Sequence, residues 1–123
     1  MEKILKIEET SFDGKDGFVI TTDQQEIKLG IDNGQSCCEN WGYFMSEDDL
    51  SEFVGSNLIA VKVVDTALKK WDEIEDMYEG DAMFVNIETS NGLLQFVAYN
   101  EHNGYYGHEA CVISKQVKEE CYL

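Results

Sequence analysis

Two short segments hold most of the side chains in this chain that could do chemistry. One is Gly34-Gln35-Ser36-Cys37-Cys38-Glu39-Asn40-Trp41-Gly42-Tyr43-Phe44 and the other is Tyr99-Asn100-Glu101-His102-Asn103-Gly104-Tyr105-Tyr106-Gly107-His108-Glu109. Both histidines of the protein fall in the second segment, and two of its four cysteines in the first. Thiolates and imidazoles together could bind zinc. Structural zinc sites, however, take paired ligands separated by a few residues, and the adjacent Cys37 and Cys38 do not easily point at one ion. The spacing assigns no metal and no cofactor, and the thiols read as small hydrophobes that pack.

A Cys nucleophile with His102 or His108 as base and Asn100 or Asn103 as orienter is a second arrangement, since such partners meet in space rather than in sequence. Neither Cys stands in a recognisable catalytic context, so no catalytic residue is assigned and the chain is read as a non-enzyme. Glu39, Glu101 and Glu109 could form an acid and base pair, but in a chain with 25 acids such proximity arises by chance. Asp13-Gly14-Lys15-Asp16-Gly17 resembles a calcium loop, yet Lys15 occupies a position needing oxygen and no Glu closes it. A hairpin turn is the better reading. The two segments also suit a pocket for a small molecule, lined by Cys37, Cys38, Trp41, Tyr43, His102, Tyr105, Tyr106 and His108.

Charge speaks more clearly than chemistry. Against 25 Asp and Glu stand 9 basic residues, all Lys, for a formal net charge of -16 on 123 residues. Such a field repels phosphate backbones, and the chain lacks the bidentate Arg that phosphate recognition favours, so nucleic acid is the least expected direct ligand. The same field attracts proteins that bind nucleic acid, because they carry the opposite one. The acids concentrate in two places, Glu47, Asp48, Asp49 and Glu52, then Asp72, Glu73, Glu75, Asp76, Glu79 and Asp81. Within the second run Trp71, Met77 and Tyr78 could anchor a contact that the acids steer. The plain alternative is a solvated face that keeps a small domain soluble.

These segments need a scaffold. Hydrophobic residues make up 43% of the chain, which separates it from disordered acidic tails and predicts one compact domain over 1–123. No stretch is apolar enough to span a membrane, and the charged start MEKILKIEET lacks the apolar core of a signal peptide. A cytoplasmic location follows, with disulfides among Cys37, Cys38, Cys111 and Cys121 not expected. Lys3 to Thr10, Gly17 to Thr22 and Glu26 to Ile31 read as a strand meander with Ile4, Ile7, Phe18, Ile20, Ile27 and Leu29 facing inward. Ala82 to Glu88 and Leu93 to Tyr99 flank Ser90-Asn91-Gly92 as a hairpin, and Leu58 to Val64 and Ala110 to Ser114 are further strands. Ser46 with Asp49 resembles a capping box, so a short helix is expected there, stopped by Gly55. Ala67 to Tyr78 fits a second helix or an acidic loop. The expected class is α+β, a mainly antiparallel sheet with one or two short helices.

GQSCCENWGYF, followed by SEDDL, and AYNEHNGYYGHEA resemble a family of uncharacterised small acidic proteins of phages and prophages of Gram-positive bacteria. The resemblance covers Gly17 to Ser114 and implies no activity. It implies a setting, the accessory genes of mobile elements, where small acidic proteins inhibit host defence or bind nucleic-acid enzymes. On that basis the first expectation is an inhibitor that occupies a basic nucleic-acid channel of a host protein, with carboxylates where phosphates would sit. CRISPR effectors and restriction enzymes belong to that target class. The second expectation is the small-molecule pocket, and the third the Cys and His enzyme or metal site. Nothing in the sequence sets the oligomeric state.

Overall fold

The computed structural model describes residues 1–34, 40–68, 81–101 and 108–123. Nine strands form: β1 (Glu2–Phe12), β2 (Lys15–Thr22), β3 (Glu26–Asp32), β4 (Asn40–Met45), β5 (Asn57–Val64), β6 (Asp81–Thr89), β7 (Gly92–Glu101), β8 (Glu109–Ile113) and β9 (Lys118–Tyr122). They lie in the order β4-β7-β6-β5-β1-β2-β3-β8-β9, and every neighbouring pair is antiparallel.

Local sequence explains the ladder. Asp13 and Gly14 both take positive φ, 49° and 76°, which closes the β1–β2 hairpin in the mirror-image turn that suits twisted strands. At the β6–β7 turn Gly92 takes φ 124°, and the Thr89 hydroxyl donates to its carbonyl at 2.8 Å. Alternation then sorts the side chains. Phe18, Ile20, Ile27, Leu29 and Ile31 line the inner face of one half of the sheet, and Met83, Val85, Ile87, Leu94, Phe96 and Ala98 line the other. Burial of one such large apolar side chain stabilises by about 1.5–3 kcal/mol, which offsets the ordering entropy of the strands.

β1 is the fold line between the halves. Glu2 and Lys3 pair with Leu58 and Asn57 of β5, and from Ile4 onward β1 pairs with β2. The register slips at Leu5 in β1 and at Ile59 in β5, and a bulge of this kind bends a strand and sharpens its twist. The two halves therefore close over one core, where Phe18 of β2 meets Tyr43 of β4 and Phe96 of β7 edge-on. β4 crosses the strands beneath it. Trp41 lies against His108, which precedes β8, while Tyr43, two residues on, reaches Glu9 near the end of β1.

The α+β expectation is corrected. Among the described residues the structure is antiparallel β, and the one helical feature is a 3-10 turn, Leu50–Phe53. Ser46 does not cap it. Its N–H instead donates to the Gln95 carbonyl at 2.8 Å, prolonging the β4–β7 ladder, and Asp49 is the cap, accepting from the Ser51 N–H. Gly55, at φ 90°, then turns the chain into β5, which leaves four residues for a helix whose nucleation needs more. At the second expected helix, Ala67 and Leu68 are not helical. The Leu68 N–H donates to Gln95 Oε1, and Gln95 Nε2 donates to the Thr66 carbonyl. The rest of that stretch lies outside the described residues.

Candidate functional site: one end of the sandwich

The two Cys- and His-bearing segments are brought together. Trp41, Gly42, Tyr43 and Phe44 of the first are β4, and they pair with Asn100, Tyr99, Ala98 and Val97 of β7, where the second begins. At the far end of the second segment His108 stacks on Trp41, with ring centroids 5.1 Å apart and planes 29° from parallel. Three elements hold the imidazole. Its Nδ1 donates to the Asp32 carbonyl at 2.5 Å, at the end of β3. The backbone N–H and carbonyl of His108 form a closed pair with those of Leu123, 2.9 and 2.8 Å, which continues the β8–β9 ladder, and Asn100 Nδ2 donates to the same Leu123 oxygen at 3.2 Å. His108 is 2% exposed, so this imidazole packs the end of the core rather than facing solvent.

Glycine permits the close approach of the strands around the stack. A Cβ on Gly42 would stand 2.6 Å from the Tyr99 hydroxyl and 2.8 Å from its ring. A Cβ on Gly17 would land on the Leu29 carbonyl, so β2 and β3 approach there as only Gly allows.

A second polar group lies beside the stack. The Tyr43 hydroxyl donates to Glu9 Oε2 at 2.9 Å, and burial first, then this bond and the nearby charges of Glu9 and Asp16, push the phenol up to about 12. Asp16 accepts from the Ser11 hydroxyl at 2.6 Å and from Asn33 Nδ2 at 2.9 Å, and these bonds hold its carboxyl below the usual range. Glu9 pairs with Phe18 and Ser11 with Asp16, so both share the sheet face that carries Phe18, yet both are exposed. Polar residues that break the apolar alternation after Ile7 are the signal that sequence reading passed over at Glu9 and Ser11. Asp32, one residue beyond the expected strand Glu26 to Ile31, was also missed.

Carboxylates cluster at both ends of β4. At the Trp41 end, register places Asp81 opposite Asn100, Glu101 opposite Asn40, and Asp32 opposite Lys15. Lys15 Nζ stands 3.6 Å from Glu109. At the Met45 end follow Glu47, Asp48, Asp49 and Glu52, of which Asp48, Asp49 and Glu52 are exposed. Five strand residues, roughly 13 Å from first Cα to last, separate these groups. Of the other expected site residues, Cys37, Cys38, Trp71, Asp72, Glu73, Glu75, Asp76, Tyr78, Glu79, His102, Tyr105 and Tyr106 lie outside the described residues. Contact between Cys37 or Cys38 and a histidine therefore does too.

Among the described residues no group of three or more His, Cys, Asp or Glu side chains is placed to hold a metal ion. Cys111 and Cys121 are free thiols, both pushed up chiefly by burial, which disfavours the reactive thiolate. No helix of the described residues is long and apolar enough to cross a membrane. No curated protein and no solved structure matches the chain. One family does, over residues 1–112, and the chain belongs to it: Domain of unknown function (DUF7448).

Proposed function

We propose that this protein is an acidic binding protein of phage type that inhibits a basic, nucleic-acid-binding host protein in the cytoplasm, presenting carboxylates where phosphates would otherwise sit. One observation carries the reading. Carboxylates stand at both ends of β4, Asp32, Asp81, Glu101 and Glu109 at one and Glu47, Asp48, Asp49 and Glu52 at the other, with Asp48, Asp49 and Glu52 exposed and Lys15 paired to Glu109. Carboxylates gathered in two groups on a chain of net charge -16 attract a surface built for phosphates and speed encounter with it. The acidic run Asp72, Glu73, Glu75, Asp76 and Glu79 leads in sequence into Asp81 and so into the first group.

Affinity capture from host lysate tests this. The captured protein is expected to bind nucleic acid, to be displaced by duplex DNA, and to be lost between about 50 mM and about 500 mM salt as screening shortens the reach of the field. Capture that is indifferent to salt and DNA overturns the reading.

The stack of Trp41 on His108 favours a second reading, a binding domain for a small molecule, since it joins the two aromatic segments at one end of the fold. A ligand there would change Trp41 fluorescence in a Trp71→Phe background and raise the melting temperature without sensitivity to salt.

A further inference from the structure

The nine-stranded sheet ends in two edge strands of opposite character. β9 presents Lys118, Glu119 and Glu120 along its short length, and charge on an edge is a common guard against pairing with another chain. β4 carries none. From Trp41 to Met45 it reads Trp-Gly-Tyr-Phe-Met. Its hydrogen-bonding phase follows from Ser46, whose N–H donates to Gln95 in the same register as the β4–β7 pairs. Hydrogen-bonded pairs alternate in an antiparallel ladder, so Gly42 and Phe44 turn their N–H and C=O toward β7. Trp41, Tyr43 and Met45 turn theirs to the outer edge, where the described residues supply no backbone partner.

Charge then selects the occupant. Beside this strand the Tyr43 hydroxyl meets the Glu9 carboxylate, and the charge of Asp16 acts on the same hydroxyl. Its two ends meet the carboxylate groups of Asp81 and Glu101 and of Glu47, Asp48 and Asp49. We propose that the outer edge of β4 is a strand-addition site that takes an extended, Lys- and Arg-bearing segment of the partner protein as a further strand of this sheet. Main-chain bonds to Trp41, Tyr43 and Met45 would supply affinity, and the surrounding carboxylates the selection for basic side chains. A second copy of this chain is the less suitable occupant, because pairing β4 with itself brings together two molecules of charge -16. The inference rests on the proposed function for the basic character of the partner and adds its mode of binding.

Backbone amide exchange followed by NMR tests it without altering the protein. The probe is a ten-residue peptide of alternating Lys and Val, with a second peptide of the same sequence N-methylated at alternate residues. Saturating the protein with the first peptide is expected to slow exchange of the Trp41, Tyr43 and Met45 amides at least about tenfold, with Phe44, already in the ladder, unchanged. The methylated peptide, unable to complete the ladder, should bind at least about tenfold more weakly at the same charge. Equal binding of the two peptides, or binding without protection at those amides, overturns strand addition while leaving the acidic-partner reading intact. Absence of binding by the unmethylated peptide overturns the edge site. Protection that appears without peptide as protein concentration rises assigns the edge to a second copy and overturns the basic occupant. Failure of the function itself is read separately, as host-protein capture indifferent to salt.

Discussion

Trp41 and His108 stack across 66 residues of intervening chain, and their contact ties the first strand of one half of the fold to the last two strands of the other. The pair should behave as a unit. Trp41→Ala removes a half-buried indole and exposes the imidazole beneath it, at a cost of about 2–4 kcal/mol, somewhat below a fully buried Trp. His108→Ala should be comparably damaging, because it also leaves the Asp32 carbonyl without its ring donor. In a double-mutant cycle read by urea denaturation, the two should couple by about 0.5–1.5 kcal/mol beyond additivity. Additive losses would show that each ring packs independently.

Gly42 is expected to be replaceable only with Tyr99 removed. Gly42→Ala drives a methyl into the Tyr99 ring and should cost about 1–3 kcal/mol. Tyr99→Ala in the same chain vacates that space, so the double variant should lose less than the sum of the singles. Gly17→Ala admits no such rescue, because the obstacle is the Leu29 backbone. Its melting temperature should fall further than that of Gly42→Ala.

The strands were legible where alternation was clean. Ile20, Ile27 and Leu29 were read as inward-facing and are fully buried, and Asp13-Gly14 and Asn91-Gly92 mark turns that form. β4 was not legible, since Trp41 to Met45 shows no polar alternation: Gly42 and Phe44, on the outer side, are as apolar a choice as their neighbours. Its aromatic wording suggested a pocket when it was also writing an edge strand. The helix at Ser46 failed because a capping pattern states only how a helix could begin. Ser46 was already committed to the β-ladder, and Gly55 closed the space behind it. Glu9 went unnoticed as a functional candidate because its partner, Tyr43, is 34 residues away on the other half of the sheet.

The acids beyond β4 should separate by role. Asp49→Ala removes the cap on the 3-10 turn and should cost about 1 kcal/mol. Asp48→Lys and Glu52→Lys change exposed side chains and should stay within about 0.5 kcal/mol of the parent. If the acidic face steers a partner, those two reversals slow association with little effect on dissociation, as stopped-flow or surface-based kinetics would show. Reversal of Asp72, Glu73, Glu75 and Asp76 to Lys extends the comparison to the other acidic run. Unchanged association in both sets would reduce these carboxylates to a solubilising role.

Tyr43 makes stability depend on pH in the alkaline range. Its phenol is pushed up to about 12 by burial and by the bond to Glu9, whereas in the unfolded chain it titrates near its ordinary value of about 10. A folded-state value above the unfolded one means that the native protein holds this proton more tightly. The contribution is therefore complete below about pH 10 and is lost as pH rises through about 12. Native-state absorbance at the phenolate band should show one tyrosine titrating late. Tyr43→Phe should remove that late titration and flatten the loss of stability between about pH 10 and 12, after allowance for the other tyrosines. It should also cost about 0.5–1.5 kcal/mol at neutral pH for the bond to Glu9, with Glu9→Gln costing less because an amide oxygen can still accept from the hydroxyl. A Tyr43 phenol that titrates with the exposed tyrosines would mean that the Glu9 bond does not persist in solution, and with it would go one of the carboxylates placed along the β4 edge.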